Sequence, residues 1–218
     1  MNYRTIKEIV ASQLRDDILS GRLPAGKEIT LKALAEQYNC SLTPIREALS
    51  ILEGEGLAVA NRHKSVTVCS LDADEVEEIF EIRALLEGYA CSLAIANMDE
   101  KTLENLEANL HAQKMCAEKD EHNRWVKLNS EFHNQIYSCI RKGILYEMIM
   151  TLRNRTGHYG RTYTKLLNRT KTATLEHEQL LDAILKRDRA KANRITQKHL
   201  RSLGRTLKPY LLKKRISK

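Results

Sequence analysis

Three histidines in the C-terminal two thirds of the chain stand where helix geometry can bring them together. His133 follows Asn129 by four residues, so on a helix the two project from one face. His177 and His199 each lie 11 residues from Asp188, in the stretch Arg187-Asp188-Arg189 where two helical patterns meet and turn. Positions equidistant from the turn of an antiparallel helical hairpin end up level with each other. If that hairpin packs on the helix of Asn129 and His133, one amide and three imidazoles converge inside a bundle. Imidazole nitrogen suits Zn²⁺ or Ni²⁺, with water or a ligand completing the shell, so a divalent transition metal is one cofactor such a set could hold. The alternative is that each histidine is packed or solvated by itself. Glu131 sits two residues before His133 and projects to another face, which places it poorly as the base of a metal-dependent hydrolase. There is no HExxH pair and no nucleophile elbow, so no enzyme is expected.

The elements that must position these residues begin near Asp72. From there strand signals vanish and apolar residues recur at helical spacing almost to the end. Helices are expected at 72–97, 100–119, 121–140, 143–168, 171–187 and 189–208, with Asp72 capping the first over acids that its dipole favours. Residues 71–218 thus read as an all-helical bundle. Its basic tail, Lys208 to Lys218, is expected to be disordered, with at most non-specific phosphate contacts.

Residues 1–70 read differently. A helix over Ile6–Leu19 ends at Gly21, and Leu23-Pro24-Ala25-Gly26 forms a turn. Thr30 caps a helix running to about Tyr38, Asn39 supplies a left-handed turn residue, and Ser41 caps a second helix from Leu42 to about Glu53. Pro44 falls in that helix's first turn, where its missing N–H costs little. Two short strands, Leu57–Ala60 and Ser65–Cys69, flank the turn Asn61-Arg62-His63-Lys64. This is the outline of a winged helix-turn-helix, which reads duplex DNA. Such proteins push the start of the second helix into the major groove, so Ser41, Leu42, Thr43 and Arg46 are the candidate readers, with Ile45, Ala48 and Leu49 turned inward. Lys32 is placed for a backbone phosphate, and Arg62, His63 and Lys64 at the wing tip for the minor groove or a phosphate. The competing reading makes all of these ordinary solvated residues. The fold class is mainly α, a winged helix-turn-helix followed by a helical bundle.

The net charge of +8 favours a polyanionic partner, but its distribution is uneven. Residues 1–70 carry nine cations against eight anions, residues 71–150 eight against sixteen, and residues 151–218 nineteen against four. The motif, not the charge, therefore points to DNA. Five cysteines without CxxC spacing read as reduced thiols, and no apolar run is long enough to cross a bilayer, so no membrane partner is expected and the location is cytoplasmic. The run from Arg153 to Arg161 is dense in cations and donors. Either part of it, Arg153 first, lines a pocket for an anion, or it is a solvated face that balances the acidic 72–87 helix.

Four segments of the first 70 residues resemble the winged-helix head of GntR-type bacterial transcription regulators. They are Asp17-Ile18-Leu19-Ser20-Gly21-Arg22-Leu23-Pro24-Ala25-Gly26, Leu34-Ala35-Glu36, Thr43-Pro44-Ile45-Arg46-Glu47-Ala48-Leu49 and Leu52-Glu53-Gly54-Glu55-Gly56-Leu57. Many members carry arginine where this chain has Leu42, and usually glycine where it has His63. Those departures bear on which operator is read, and Leu42 suits a thymine methyl. Residues 72–210 resemble the FCD effector domain of the FadR subgroup, in its six-helix VanR-like form. Glu81-Ile82-Arg83-Ala84-Leu85-Leu86-Glu87, Asn129-Ser130-Glu131-Phe132-His133-Asn134-Gln135-Ile136 and His177-Glu178-Gln179-Leu180-Leu181, with Asp188 and His199, carry that likeness. In metal-binding members an Asp stands where this chain has Asn129; the three histidines match. The resemblance implies a metal site of Asn129, His133, His177 and His199, and a small carboxylate effector. It assigns Arg83 to that effector, since a guanidinium donates two parallel hydrogen bonds to a carboxylate. An ordinary surface ion pair of Arg83 with Glu87 is the alternative. The expected whole is a ligand-responsive repressor that binds a palindromic double-stranded operator as a homodimer. A constitutive DNA-binding protein with an empty effector site is the competing reading.

Overall fold

The computed structural model describes residues 5–61, 64–166 and 169–216, with the side chains of 158–166, 210 and 213–216 outside the description. The described chain divides into two compact units. One holds residues up to Leu71 together with Met150–His158; the other holds Asp72–Ile149 and the residues from Tyr159 on.

In the first unit, α1 (Ile6–Ser20) starts at a capping box of Thr5 and Glu8 and stops at Gly21, whose φ of 81° supplies the left-handed residue a helix end needs. α2 (Leu31–Gln37) starts where Thr30 accepts a hydrogen bond from the Ala33 N–H. Asn39, at φ 49°, turns the chain into α3 (Leu42–Gly54). Ser41 holds the N-cap position of α3 but makes no side-chain capping bond. An N-cap hydroxyl bonds the second or third helical N–H, and the third residue here, Pro44, has none to offer. The buried Asp17 ties the first two helices, accepting from Arg22 Nε at 2.6 Å and from Tyr38 Oη at 2.5 Å.

The wing is a three-stranded antiparallel sheet ordered β1-β3-β2, with β1 at Glu28–Thr30, β2 at Ala58–Asn61 and β3 at Ser65–Val68. β1 was absent from the expected elements. Glu28-Ile29-Thr30 is too short to show alternation, and it is a strand because β3 offers it an edge, pairing Glu28 with Thr67 and Thr30 with Ser65. Leu14, Leu34, Ile45, Leu52, Leu57 and Val66 close the core over which helices and sheet sit.

The second unit is helical throughout. α4 (Ala73–Ala94) begins with a capping box of Asp72 and Glu75 and runs into a 3₁₀ turn at Ile95–Asn97. α5 (Glu100–Glu118), α6 (His122–Ser138), α7 (Ile144–Leu166) and α8 (Thr170–Leu185) follow within two residues of the expected ends. Arg187, at φ 54°, makes the tight turn into α9 (Arg189–Ile216), where Asp188 accepts from the Lys191 N–H. α9 lies antiparallel to α4: Lys208 pairs with Asp74 and Glu77, Arg201 with Glu81, and Arg189 donates to the Ser92 carbonyl. Gly88 and Gly204 permit this close approach. A Cβ on Gly88 would stand 2.7 Å from Asn193 Oδ1, and one on Gly204 2.7 Å from the Phe80 Cβ.

The expected disorder after Lys208 is corrected here. α9 continues through Pro209 to Ile216. A proline inside a helix removes one i→i−4 hydrogen bond and crowds the preceding turn, and here the ion pairs of Lys208 with Asp74 and Glu77 hold α9 against α4 at that point. Among the described residues no helix is long and apolar enough to cross a membrane. None of the five cysteines is joined in a disulfide.

Candidate metal and effector site, and the exposed reading helix

α6 brings His133, α8 His177 and α9 His199 into one buried cluster, whose ligand-capable atoms all lie within 4.8 Å of one another. Ring centroids stand 5.0 Å apart for His133 and His177, 5.5 Å for His133 and His199, and 5.0 Å for His177 and His199. The three-histidine convergence is therefore present. Nitrogens bound to one zinc at about 2.1 Å sit roughly 3.4 Å apart, so modest side-chain rotation closes this set onto an ion. Asn129 lies one turn before His133 on α6 and is half-buried.

What surrounds the rings settles how they are presented. Gln113 on α5 gives its NH₂ to Asn109 Oδ1 at 2.8 Å, which leaves its Oε1 to accept from His177 Nδ1–H at 2.7 Å. His177 Nε2 is then an acceptor, and it is buried with no hydrogen-bond partner among the described residues. Such an orphaned lone pair fits a metal ligand. Burial, and next to it the charge of His199, push the His177 imidazole well below its ordinary pKa, so it is held neutral. Phe132 stacks on its ring at 4.9 Å and Trp125 lies parallel at 6.1 Å, with the Trp125 indole N–H anchored on Thr174 Oγ1 at 2.8 Å.

His199 is oriented by a carboxylate instead. Its Nδ1 stands 2.6 Å from Glu176 Oε2. Arg169, itself 12% exposed, backs Glu176 at 3.3 Å and donates to Ser202 Oγ at 2.9 Å and Thr206 Oγ1 at 3.2 Å. Burial alone would raise the Glu176 carboxyl, but the His199 bond and the charges of His199, Arg169 and Lys198 hold it below the ordinary range. An anchored Nδ1 turns Nε2 toward the cluster, the arrangement that metal-binding histidines commonly show.

Arg83 is 7% exposed and gives its Nε–H to Glu87 Oε1 at 2.7 Å, while Tyr137 Oη donates to Glu87 Oε2 at 2.7 Å. Tyr137 is also stacked on His133, with centroids 6.1 Å apart. The expected alternative, an Arg83–Glu87 pair, thus exists, but in the core and not on the surface; the Glu87 carboxylate is fully buried. Arg153 falls in the part of α7 grouped with the first unit and is half-buried. The side chains of His158, Tyr159 and Arg161 lie outside the described residues. Glu131 is exposed, away from any role among the buried rings.

In the first unit α3 buries Ile45, Ala48 and Leu49 and leaves Ser41, Leu42, Thr43 and Arg46 exposed. Lys32 is exposed and 4.0 Å from Glu36, and Lys64 is exposed beside β3. Arg62 and His63 lie outside the described residues.

The sequence reading missed Gln113, Glu176 and Arg169. For Glu176 the signal was there: it lies 12 residues before Asp188 and His199 lies 11 after, so the hairpin register that levels the histidines levels this carboxylate too.

Residues 6–68 match the family model of the bacterial regulatory proteins of the gntR family, and residues 78–202 match that of the FCD domain. YdhC, an HTH-type transcriptional regulator of Bacillus subtilis, is 30% identical over 86% of this chain and 84% of its own length. GlaR, an HTH-type transcriptional repressor of Escherichia coli, is 26% identical over 86% of this chain and 89% of its own. The solved structure of E. coli McbR/YncC resembles this one with a TM-score of 0.81 at 26% identity, covering 94% of this chain and 98% of that one.

Proposed function

The chain belongs to the gntR family of bacterial regulatory proteins and carries an FCD domain, and from that premise we propose how its two units divide the work of a transcription regulator. The family and its relatives are regulators, not enzymes. Residues 1–70 bind a palindromic operator through the exposed start of α3, with Thr43 and Arg46 as readers, Ser41 and Leu42 beside them, and Lys32 and the wing's Arg62, His63 and Lys64 on phosphates or the minor groove. Residues 71–218 bind a small organic anion, a carboxylate by preference, and hold two copies together as a homodimer in the cytoplasm. Repression is the favoured direction, as in the relative named a repressor.

The observation that carries the effector reading is the buried trio His133, His177 and His199, in which Gln113 and Glu176 fix the rings of His177 and His199 and the His177 Nε2 is orphaned. Those three, with Asn129, would hold Zn²⁺ or Ni²⁺; when bound, the ion supplies a Lewis-acidic seat for an anion. Arg83, whose Nε–H bonds the Glu87 carboxylate that Tyr137 also bonds, adds a cation to the same helical interior. Effector and operator are linked reciprocally, so each changes the other's affinity by one factor.

The test begins with the tag-free protein and selection of binding sites from random duplexes. Enrichment of a two-fold-symmetric motif, with metal near one per chain by mass spectrometry, supports the reading. Selection of a symmetric site by a chain that takes up neither Zn²⁺ nor Ni²⁺ would leave a constitutive regulator. Enrichment of no motif overturns the proposed reading face.

A further inference from the structure

Every donor that converges at the histidine cluster is neutral. His133, His177 and His199 bring imidazoles, among the described residues no carboxylate or thiolate joins them, and the residue one turn before His133 on α6, Asn129, is an amide. The acids nearest to it through hydrogen bonds are already engaged. Glu176 is bonded to His199 Nδ1 and matched by Arg169, and Glu87 accepts from Arg83 and Tyr137. All three rings are buried. A divalent ion placed there would bring two positive charges into a water-poor interior with no ligand charge against them. Burying a charge without its counter-charge is strongly unfavourable.

We propose that this site takes up its metal together with an anion, so that the anionic effector supplies the charge that a ligand carboxylate would otherwise bring. The inference rests on the metal reading above and concerns what Asn129 does to it. With a resident carboxylate at position 129, metal would bind first and stay, and the anion would come and go. With an amide there, the metal-only state carries an uncompensated charge, and metal and anion stabilise each other. The chain is then a detector of their coincidence. Each ligand raises the other's affinity by the same factor. The class of anion follows from the donor needed: an oxygen or nitrogen donor with one negative charge, such as a carboxylate, compact enough for a buried seat.

The experiment uses the full-length, tag-free protein in a perchlorate buffer, whose anion coordinates weakly. Zn²⁺ is titrated in competition with a chromophoric chelator, alone and with acetate, azide or inorganic phosphate. Wild type, Asn129→Asp and His177→Ala are compared, and the visible spectrum of the Co²⁺-loaded protein reports anion entry into the metal shell. In the wild type at least one of these anions should raise Zn²⁺ affinity about tenfold or more, a typical size for linked binding. The same anion should change the Co²⁺ spectrum. Asn129→Asp should bind Zn²⁺ more tightly than wild type without anion and lose most of the anion dependence. A wild-type Zn²⁺ affinity that none of the three anions alters overturns the inference while the metal site stands. An anion dependence that Asn129→Asp leaves intact removes Asn129 from it. Absence of Zn²⁺ binding that His177→Ala can abolish, with and without anions, overturns the metal reading itself.

Discussion

The two units of this chain arrange their polar chemistry in opposite ways. The first is built on an apolar core, and the residues proposed to do its work, Ser41, Thr43 and Arg46, stand on the exposed side of α3. The second buries its chemistry: the three histidines, Gln113, Glu87, Arg83 and Thr174 are all in its interior. A DNA reader must present donors to a surface that is already formed. A sensor of a small ion or acid gains by excluding water, because interactions in a low-dielectric interior are stronger and an unmet group there is costly. That contrast is open to a two-way test. Changing His133, His177 and His199 together to Ala should reduce bound metal from near one per chain to background, with effector-free operator affinity unchanged. Arg46→Ala should cost about 1–3 kcal/mol of operator binding and leave metal content untouched. Metal analysis and fluorescence anisotropy on the same preparations read both. A cross-effect in either direction without the effector would break the separation.

Within the buried unit a second comparison can be sharpened. His177 is oriented by a neutral amide and His199 by a carboxylate. Charge-assisted hydrogen bonds are roughly twice as strong as neutral ones, so the two supports should not weigh equally. Glu176→Gln keeps an acceptor near His199 Nδ1 but removes the charge and strips Arg169 of its ion-pair partner. A loss of about 10–100-fold in metal affinity is expected, the usual scale for such outer-shell changes. Gln113→Ala should lose less. The competition titration with Zn²⁺ gives both numbers, and a larger loss for Gln113→Ala would show that burial, not charge, sets the support.

Legibility in the sequence follows the same division. α1 to α3 announce themselves by caps and turn residues, Gly21, Thr30 and Asn39, because such signals are local. β1 has no local signal, since its three residues become a strand through β3. The helix ends of the bundle are readable, and the register about Asp188 is enough to level His177 with His199. That same register contained Glu176, passed over because a carboxylate on a helix ordinarily reads as a surface group. Gln113 was not readable at all: the rotation of α5 that turns it to His177 is set by packing against α6 and α8, which no spacing within α5 encodes. The extension of α9 past Pro209 was likewise hidden, since it rests on Lys208 reaching Asp74 and Glu77, more than a hundred residues away in sequence.

The smallest effect expected lies in the exposed unit and concerns Glu28. Its Oε1 accepts from Ser65 Oγ at 2.5 Å and from Asn61 Nδ2 at 3.2 Å, tying β1 to the two strands of the wing. Those bonds, Ser65 first and Asn61 second, hold the Glu28 carboxyl below its ordinary range despite the opposing effect of burial. A carboxyl whose pKa is lower folded than unfolded contributes stability that is present above the unfolded pKa and lost as the pH falls through the folded one. Protection factors of the β3 amides, which correct exchange for its intrinsic rate at each pH, should therefore fall under acid, modestly because the group is exposed and water screens it. The Glu28 side-chain carbon followed by NMR should titrate below the other exposed glutamates. Ser65→Ala should move that midpoint up more than Asn61→Ala does, because Ser65 is the larger cause. An unmoved midpoint in Ser65→Ala would mean that the wing is tied by its backbone ladder alone.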